Sequence, residues 1–426
     1  MKILISTLGS RGDTQPYLAL AMGLQRAGHR VTLTAPSSFV EWIQSYGVAA
    51  HPVRFNPQEV MQSLSKTKNP FQAMCAMREV MTTGVMDAMA DGWQAAQETD
   101  FLIQTGTGSG ALEIANRRGI PVAFAYLVPT APTHAFPIFM LPFRRSLGAG
   151  YNYLTHTLAQ RALWNGMGGP TLNRWRASLN LPAWRSEAEM QAYARSLATP
   201  SLYGFSPNVI PKPPDWADDQ HVTGYWFLDA PPGWQPPADL ARFLESGPPP
   251  VYVGFGSMSQ QNPERQARLA LRALELSGQR GILLTGWGGL TRLAAPPNVF
   301  FLEDVPHAWL FPRLGAVVHH GGAGTTGAGL RAGVPNIIAP FGGDQVAWAD
   351  VAVKLGVGVP AGAATRLSAE KLAQAIHTAL NDAALRARAA ALGEKIRAED
   401  GVARAVEVIE RHAARGAQWE RGTAPN

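Results

Sequence analysis

Short apolar runs alternate with helix-patterned stretches along both halves of this chain. Lys2–Leu8, Arg30–Ala35, Asp100–Thr105 and Pro121–Leu127 are mostly apolar and bounded by turn residues, which predicts buried strands. Helical spacing fills the gaps at Thr14–Ala27, Ser38–Tyr46 and Gly110–Arg118. Prolines then crowd Pro207–Pro250, where they resist helix and central strand alike and predict a semi-rigid connector. Beyond it Val251–Gly256, Gly281–Thr285, Val299–Leu302, Gly315–His319 and Asn336–Ala339 repeat the strand pattern. A helix start at Asn262-Pro263 pairs a cap residue with proline at the first helical position, and the last stretch, Ser368–His412, is helical. Strand–helix alternation of this kind predicts an α/β fold: two doubly wound parallel sheets, with a ligand cleft between their carboxyl ends.

Composition narrows the class. The chain has 426 residues, suited to two domains; 46% are hydrophobic and only 16% charged. The formal charge is +6 but no Lys/Arg run resembles a nucleic-acid arm, so no nucleic-acid partner is expected. That basic balance suits anionic lipid or a diphosphate donor, and equally an ordinary solubility surface. Cys75 is the only cysteine, which leaves no intrachain disulfide and no cysteine metal cluster. Lys2–Gly9 has too short an apolar part for a signal peptide and reads as a first strand. No apolar run approaches the roughly 20 residues of a membrane span. The expected location is cytoplasmic, with peripheral membrane contact left open.

The candidate chemistry concentrates at His319-His320-Gly321-Gly322-Ala323-Gly324-Thr325-Thr326. A strand ending in glycines, followed by a helix expected to open at Thr325 or Thr326, offers bare N–H groups and a positive helix end to an anion. His320 beside it is able to donate a hydrogen bond to a leaving phosphate oxygen. Asp344 and Gln345, at the next strand-to-helix junction, supply an acceptor and an amide suited to sugar hydroxyls. These residues describe a nucleotide-sugar site.

Seven segments, in order, carry a resemblance: Gly9-Ser10-Arg11-Gly12-Asp13-Thr14-Gln15-Pro16-Tyr17, Ala27-Gly28-His29-Arg30-Val31, Val253-Gly254-Phe255-Gly256-Ser257-Met258, Gly286-Trp287-Gly288-Gly289-Leu290, the run from Val305 to Pro312, the double-histidine segment, and Glu399-Asp400-Gly401-Val402-Ala403. The sequence resembles the inverting GT-B glycosyltransferases of the UDP-glycosyltransferase superfamily, most closely the sterol 3β-glucosyltransferases and bacterial natural-product enzymes. The resemblance implies a GT-B architecture of two Rossmann-like domains facing across a cleft. It places an acceptor-binding domain at 1–215, a connector at 216–250 and a nucleotide-sugar domain at 251–403. Residues 404–426 would be a helix and tail crossing back to the first domain.

The same resemblance assigns roles. His320 and the amides of Ala323, Gly324 and Thr325 would hold the donor diphosphate, with Ser257 as a further phosphate contact. Trp287 and the turn from Val305 to His307 would flank uracil, and Asp344 and Gln345 would bind glucose hydroxyls. Ser10 and Arg11 would reach the donor from the opposite domain, and Asp13 would be the catalytic base. The implied partners are UDP-glucose as donor substrate and a lipophilic hydroxyl acceptor, a sterol or related polycyclic natural product, with no cofactor. No Asp-x-Asp pair occurs to clamp a metal, and no second carboxylate stands in the entry motif as a retaining nucleophile. The chain departs from the sterol-type run at Phe341-Gly342-Gly343-Asp344-Gln345-Val346, and Ala328 stands where relatives outside the sterol group have a ribose-gripping acid.

Other readings stay open. Asp13 also suits a helix N-cap. Met74, Met77, Met81, Met86 and Met89 form a stripe that fits a core face, or a soft wall for a bulky acceptor. The apolar, proline-interrupted run Val128–Phe143 reads as a loop lining the acceptor pocket, with Phe136, Phe139 and Met140 beside Met81 as its lining, or as a membrane contact. His319, Trp309 and Trp348 read as packing, and Gly106, Gly108 and Gly110 as a tight turn. A TDP-sugar-dependent enzyme, a UDP-sugar epimerase and a non-catalytic sugar-nucleotide sensor are the alternative functions.

Overall fold

The computed structural model describes the chain apart from residues 56–69, 109, 141–144, 232, 257–261, 287–288 and 420–426, with backbone only at 70–81, 167 and 416–419. The first sheet has seven parallel strands: β1 (Lys2–Ser6), β2 (Arg30–Pro36), β3 (Ala49–Val53), β4 (Phe101–Thr105), β5 (Val122–Tyr126), β6 (Ser201–Tyr203) and β7 (Gln220–Val222), ordered 3-2-1-4-5-6-7. The second has six: β8 (Val251–Gly254), β9 (Gly281–Leu284), β10 (Val299–Leu302), β11 (Ala316–His319), β12 (Asn336–Ile338) and β13 (Gly358–Pro360), ordered 10-9-8-11-12-13. Strand order reverses between β1 and β4 in one sheet and between β8 and β11 in the other. Loops leaving those neighbouring strands part to opposite faces, so each sheet opens a crevice at its carboxyl edge.

β7 pairs with β6 inside the segment that its prolines marked as connector. It is an edge strand of three residues, Gln220 to Val222, and none of them is proline, so the ladder loses no donor there.

The helices that matter for the site are α1 (Arg11–Arg26), α2 (Pro70–Ala95), α3 (Ala149–Leu163), α4 (Ala323–Ala332), α5 (Asp344–Lys354) and α6 (Gly401–Trp419). α6 closes the chain on the first domain: Ala405, Val406, Val408, Ile409 and Ala413 are buried with Ile3, Leu18, Leu33 and Ile103. A third apolar cluster joins the domains, placing Phe139, Tyr203, Phe205 and Trp216 against Leu330, Trp348, Ala352 and Ile396.

Candidate active site

The entry turn between β1 and α1 carries the first half of the site. Gly9 has φ +131°, where a side chain is strained, and a Cβ there would lie 2.6 Å from Asp13 Oδ2. The main chain thus passes directly against that carboxyl. α1 begins at Arg11, so Ser10, not Asp13, is the N-cap; Asp13 occupies the third helical position. Its Oδ2 accepts from Ser10 N–H and from Ser10 Oγ, both at 2.9 Å. The carboxyl keeps some exposure toward the cleft yet sits among protein atoms, and this burial raises its pKa against the lowering effect of the Ser10 bonds. Arg11 reaches the opposite domain, where Nη1 donates to Asp304 Oδ2 at 2.9 Å, while its guanidinium lies 5.0 Å from the Trp42 ring centre.

The second half forms where β11 ends. His319 is fully buried: Nε2 donates to Asn336 Oδ1 at 3.0 Å, and Nδ1 accepts the Gly321 N–H at 3.1 Å. It is a structural pin, held neutral by burial with a pKa pushed down to about 3. His320 points the other way. Its ring lies against Gly256 at the end of β8, and Nε2 stands over Gly322, the N-cap of α4. Nδ1 is buried without a hydrogen-bond partner among the described residues, and burial lowers the pKa to about 4. A neutral imidazole therefore stands at the helix start with one N–H to give. α4 opens at Ala323, two residues earlier than the threonines suggested, because Gly322 is small enough to serve as N-cap with no side-chain bond. The N–H of Thr326 bonds Gly322 O, so the amides of Ala323, Gly324 and Thr325 precede the intrahelical ladder and carry the positive helix end.

At the start of α5, Asp344 is largely surrounded by protein. Burial raises its pKa, the indole of Trp348 one turn on opposes the rise, and the Asp13 charge adds to it. Carboxyls from the two domains are thus near enough to feel each other across the cleft. Trp348 itself is fully buried. Gln345 Oε1 accepts the Phe341 N–H at 2.8 Å, which fixes the side-chain amide and leaves its NH2 to donate.

The other expected residues divide. Val305 is buried, and His307 stacks on Phe311 with ring centres 4.2 Å apart, its pKa lowered to about 4 by burial and the nearby Arg11 charge. Phe139 is buried edge-on to Trp348 at 5.5 Å and Phe136 packs against Phe139, whereas Met140 is exposed to solvent. Ser257, Trp287 and the Met81 side chain lie outside the described residues. Two cleft residues escape sequence reasoning. Tyr126, at the end of β5, stacks on Tyr203 at 5.7 Å and lies beside Gly106 at the end of β4; a lone tyrosine closing a strand gives no signal of its own. Asp304 gains meaning only through the ion pair that crosses the domains.

Two parallel sheets with paired crevices, one bringing a carboxyl and the other a histidine-flanked helix end, define a GT-B glycosyltransferase framework. The chain belongs to that family: residues 3–136 match the glycosyltransferase family 28 N-terminal domain, and residues 289–411 match the erythromycin biosynthesis protein CIII-like C-terminal domain. Among curated proteins it is 36% identical over 449 residues to a sterol 3-beta-glucosyltransferase of Cryptococcus neoformans, covering 96% of this chain and 27% of that protein. It is likewise 36% identical over 428 residues to one of Emericella nidulans, covering 96% of this chain and 30% of that protein. The chain therefore spans less than a third of these relatives' length. Among solved structures, the calicheamicin glycosyltransferase CalG4 superposes with a TM-score of 0.73 at 18% identity, covering 97% of this chain and 98% of that chain. The spinosyn rhamnosyltransferase SpnG complexed with thymidine diphosphate gives 0.66 at 17% identity, covering 96% of this chain and all (100%) of that one.

Proposed function

We propose that this chain moves glucose from UDP-glucose to a hydroxyl of a lipophilic acceptor, a sterol or related polycycle, with inversion and without a metal. Asp13 takes the acceptor proton as the hydroxyl oxygen attacks the anomeric carbon. The bond from that carbon to the diphosphate oxygen breaks, and the negative charge leaves with the diphosphate. The amides of Ala323, Gly324 and Thr325 and the N–H of neutral His320 receive that charge, a stabilisation that grows as the bond breaks. Asp344 and the Gln345 NH2 orient the sugar. The observation that carries this reading is the part-buried Asp13 carboxyl on one domain together with the free leading amides of α4 and a neutral histidine on the other. The sterol 3-beta-glucosyltransferase relatives favour glucose and a sterol-like acceptor.

One observation favours a second donor. The SpnG neighbour holds thymidine diphosphate, so a TDP-sugar is the competing substrate. The test incubates the purified chain with UDP-glucose or TDP-glucose, a sterol panel and excess chelator, reading product by mass spectrometry. Glucosylated sterol from UDP-glucose with chelator present is expected. Conversion of UDP-glucose without any acceptor would assign an epimerase instead, and transfer from TDP-glucose alone would replace the donor.

A further inference from the structure

α3 is amphipathic in the wrong direction for a helix facing water. Its inner face is polar, with Asn152, Thr155 and His156 buried beside Ala159. Those groups bond the backbone of the proline-interrupted loop before the helix. Asn152 Nδ2 donates to His134 O at 2.9 Å, Ile138 N–H to Thr155 Oγ1 at 3.0 Å, and His156 Nε2 to Phe136 O at 3.0 Å. The outer face carries Leu154, 50% exposed, and Leu158, 58% exposed, with Leu147 at 73% just before the helix. Leu154 and Leu158 stand one turn apart, opposite the buried side. A surface helix normally puts these two faces the other way round.

Charge singles out the same region. From Ile114 to Ser186 the chain has eight arginines and no aspartate, glutamate or lysine, although Arg176 is buried against Glu113 and Arg185 pairs with Glu189 just outside that stretch. Arg145 and Arg161 are exposed beside Leu147 and Leu158. Leucines level with arginines whose stems can lie along an apolar layer suit the boundary between lipid headgroups and acyl chains. At 15 residues the helix is too short to cross a bilayer and long enough to lie on one.

We infer that the outer face of α3, with Leu147, Leu154, Leu158, Arg145 and Arg161, is a docking surface for an anionic lipid bilayer. This placement rests on the lipophilic-acceptor reading for its purpose, since the inner face of α3 grips the Thr130–Ile138 loop that sequence marked as acceptor lining. Docking would hold that loop one helix away from the membrane, where a sterol-like acceptor resides. Exposed Arg145 and Arg161 select anionic over zwitterionic lipid.

The test floats the full chain with vesicles of phosphatidylcholine, with and without phosphatidylglycerol, at low and high salt. Wild type is expected to float with the anionic vesicles, and high salt to release it. Leu154→Gln with Leu158→Gln should lower partitioning at least about tenfold, the scale of two lost leucine insertions, while thermal unfolding and transfer to a water-dispersed acceptor stay unchanged. Arg145→Gln with Arg161→Gln should abolish the preference for anionic lipid while the unfolding temperature holds. Equal flotation of wild type and the leucine variant overturns the proposal. So does a wild-type dimer in sedimentation that the leucine variant dissolves without either protein binding vesicles, because the face then joins two copies. Vesicle binding with no sugar transfer to any acceptor leaves this surface standing and removes the glucosyltransferase reading.

Discussion

A carboxyl that must accept a proton near neutrality works best when its ionised form is not too comfortable, and the setting of Asp13 has that character. Burial raises its pKa, while two Ser10 donors keep the anion accessible. The sign for catalysis follows: transfer should fall as pH drops through a midpoint above the ordinary 3.8 of an aspartate, because only the ionised form serves as base. Asp13→Asn should lower turnover at least roughly a hundredfold while nucleotide binding persists. Near-normal turnover would remove Asp13 from the chemistry. The sign for stability is opposite. A carboxyl with a raised folded pKa holds its proton more tightly when folded, so it costs stability as pH climbs from the ordinary value to the raised one. The same variant should therefore melt no lower than wild type at neutral pH, with any advantage shrinking in acid; a melting point lower at neutral pH than at acid pH, relative to wild type, contradicts the assigned burial. His320 acts at the other end of the reaction. Its neutral ring gives a hydrogen bond, and a nearby diphosphate would favour its charged form. His320→Ala should weaken nucleoside diphosphate binding about tenfold or more by calorimetry, the scale of a bond to a charged group. Unchanged affinity would take His320 out of the donor site.

Turns, rather than the helices and strands they join, set the geometry of this site. The β1–α1 turn brings Gly9 against the Asp13 carboxyl, so Gly9→Ala must move either the backbone or the base. We expect transfer to fall at least about tenfold and the unfolding free energy by about 1–3 kcal/mol; a fall in stability with normal turnover would mean that the carboxyl is not held by this turn. Sequence made this region legible because its signals are local. A buried apolar strand before paired glycines marks the start of α4, whereas α1, expected from Thr14 with Asp13 as a possible cap, begins at Arg11 behind Ser10. The nine strands read from apolar runs all exist, with ends shifted by a residue or two. β3, β6, β7 and β13 were not read because each is short and mixes polar or proline residues into the run. The α4 start was misplaced by two residues, since threonine is a common cap and Gly322 is not an obvious one. Tyr126, Asp304 and the inverted face of α3 were hidden for a different reason. Their meaning depends on which distant residue lies opposite, and a periodicity reading cannot tell a helix's inside from its outside.

At the scale of the whole molecule, the chain ties its two ends together before its two domains. α6 leaves the second domain and packs along α1, so closely that a Cβ on Gly23 would lie 2.2 Å from Val402 Cγ1. Five apolar residues of α6 complete the first domain's core, and at the crossing point Glu399 Oε1 accepts from Ser206 Oγ at 2.5 Å and from Asn208 Nδ2 at 2.6 Å. The first sheet is therefore unfinished until the last helix has been made. The domains also meet directly, through the exposed Arg11–Asp304 pair, of the kind worth at most about 1 kcal/mol, and through the buried Phe139–Trp348 cluster. Ending the chain after Asp400 should leave the second domain's core intact but uncover Leu18, Leu20 and Leu24 of α1, and the first domain should unfold at least several degrees earlier, or fail to fold. Ile409→Ala is the gentler form of the same test, with an expected loss of about 2–4 kcal/mol in chemical denaturation for a buried isoleucine. If that variant unfolds like wild type, α6 is an appendage and not part of the first domain's core.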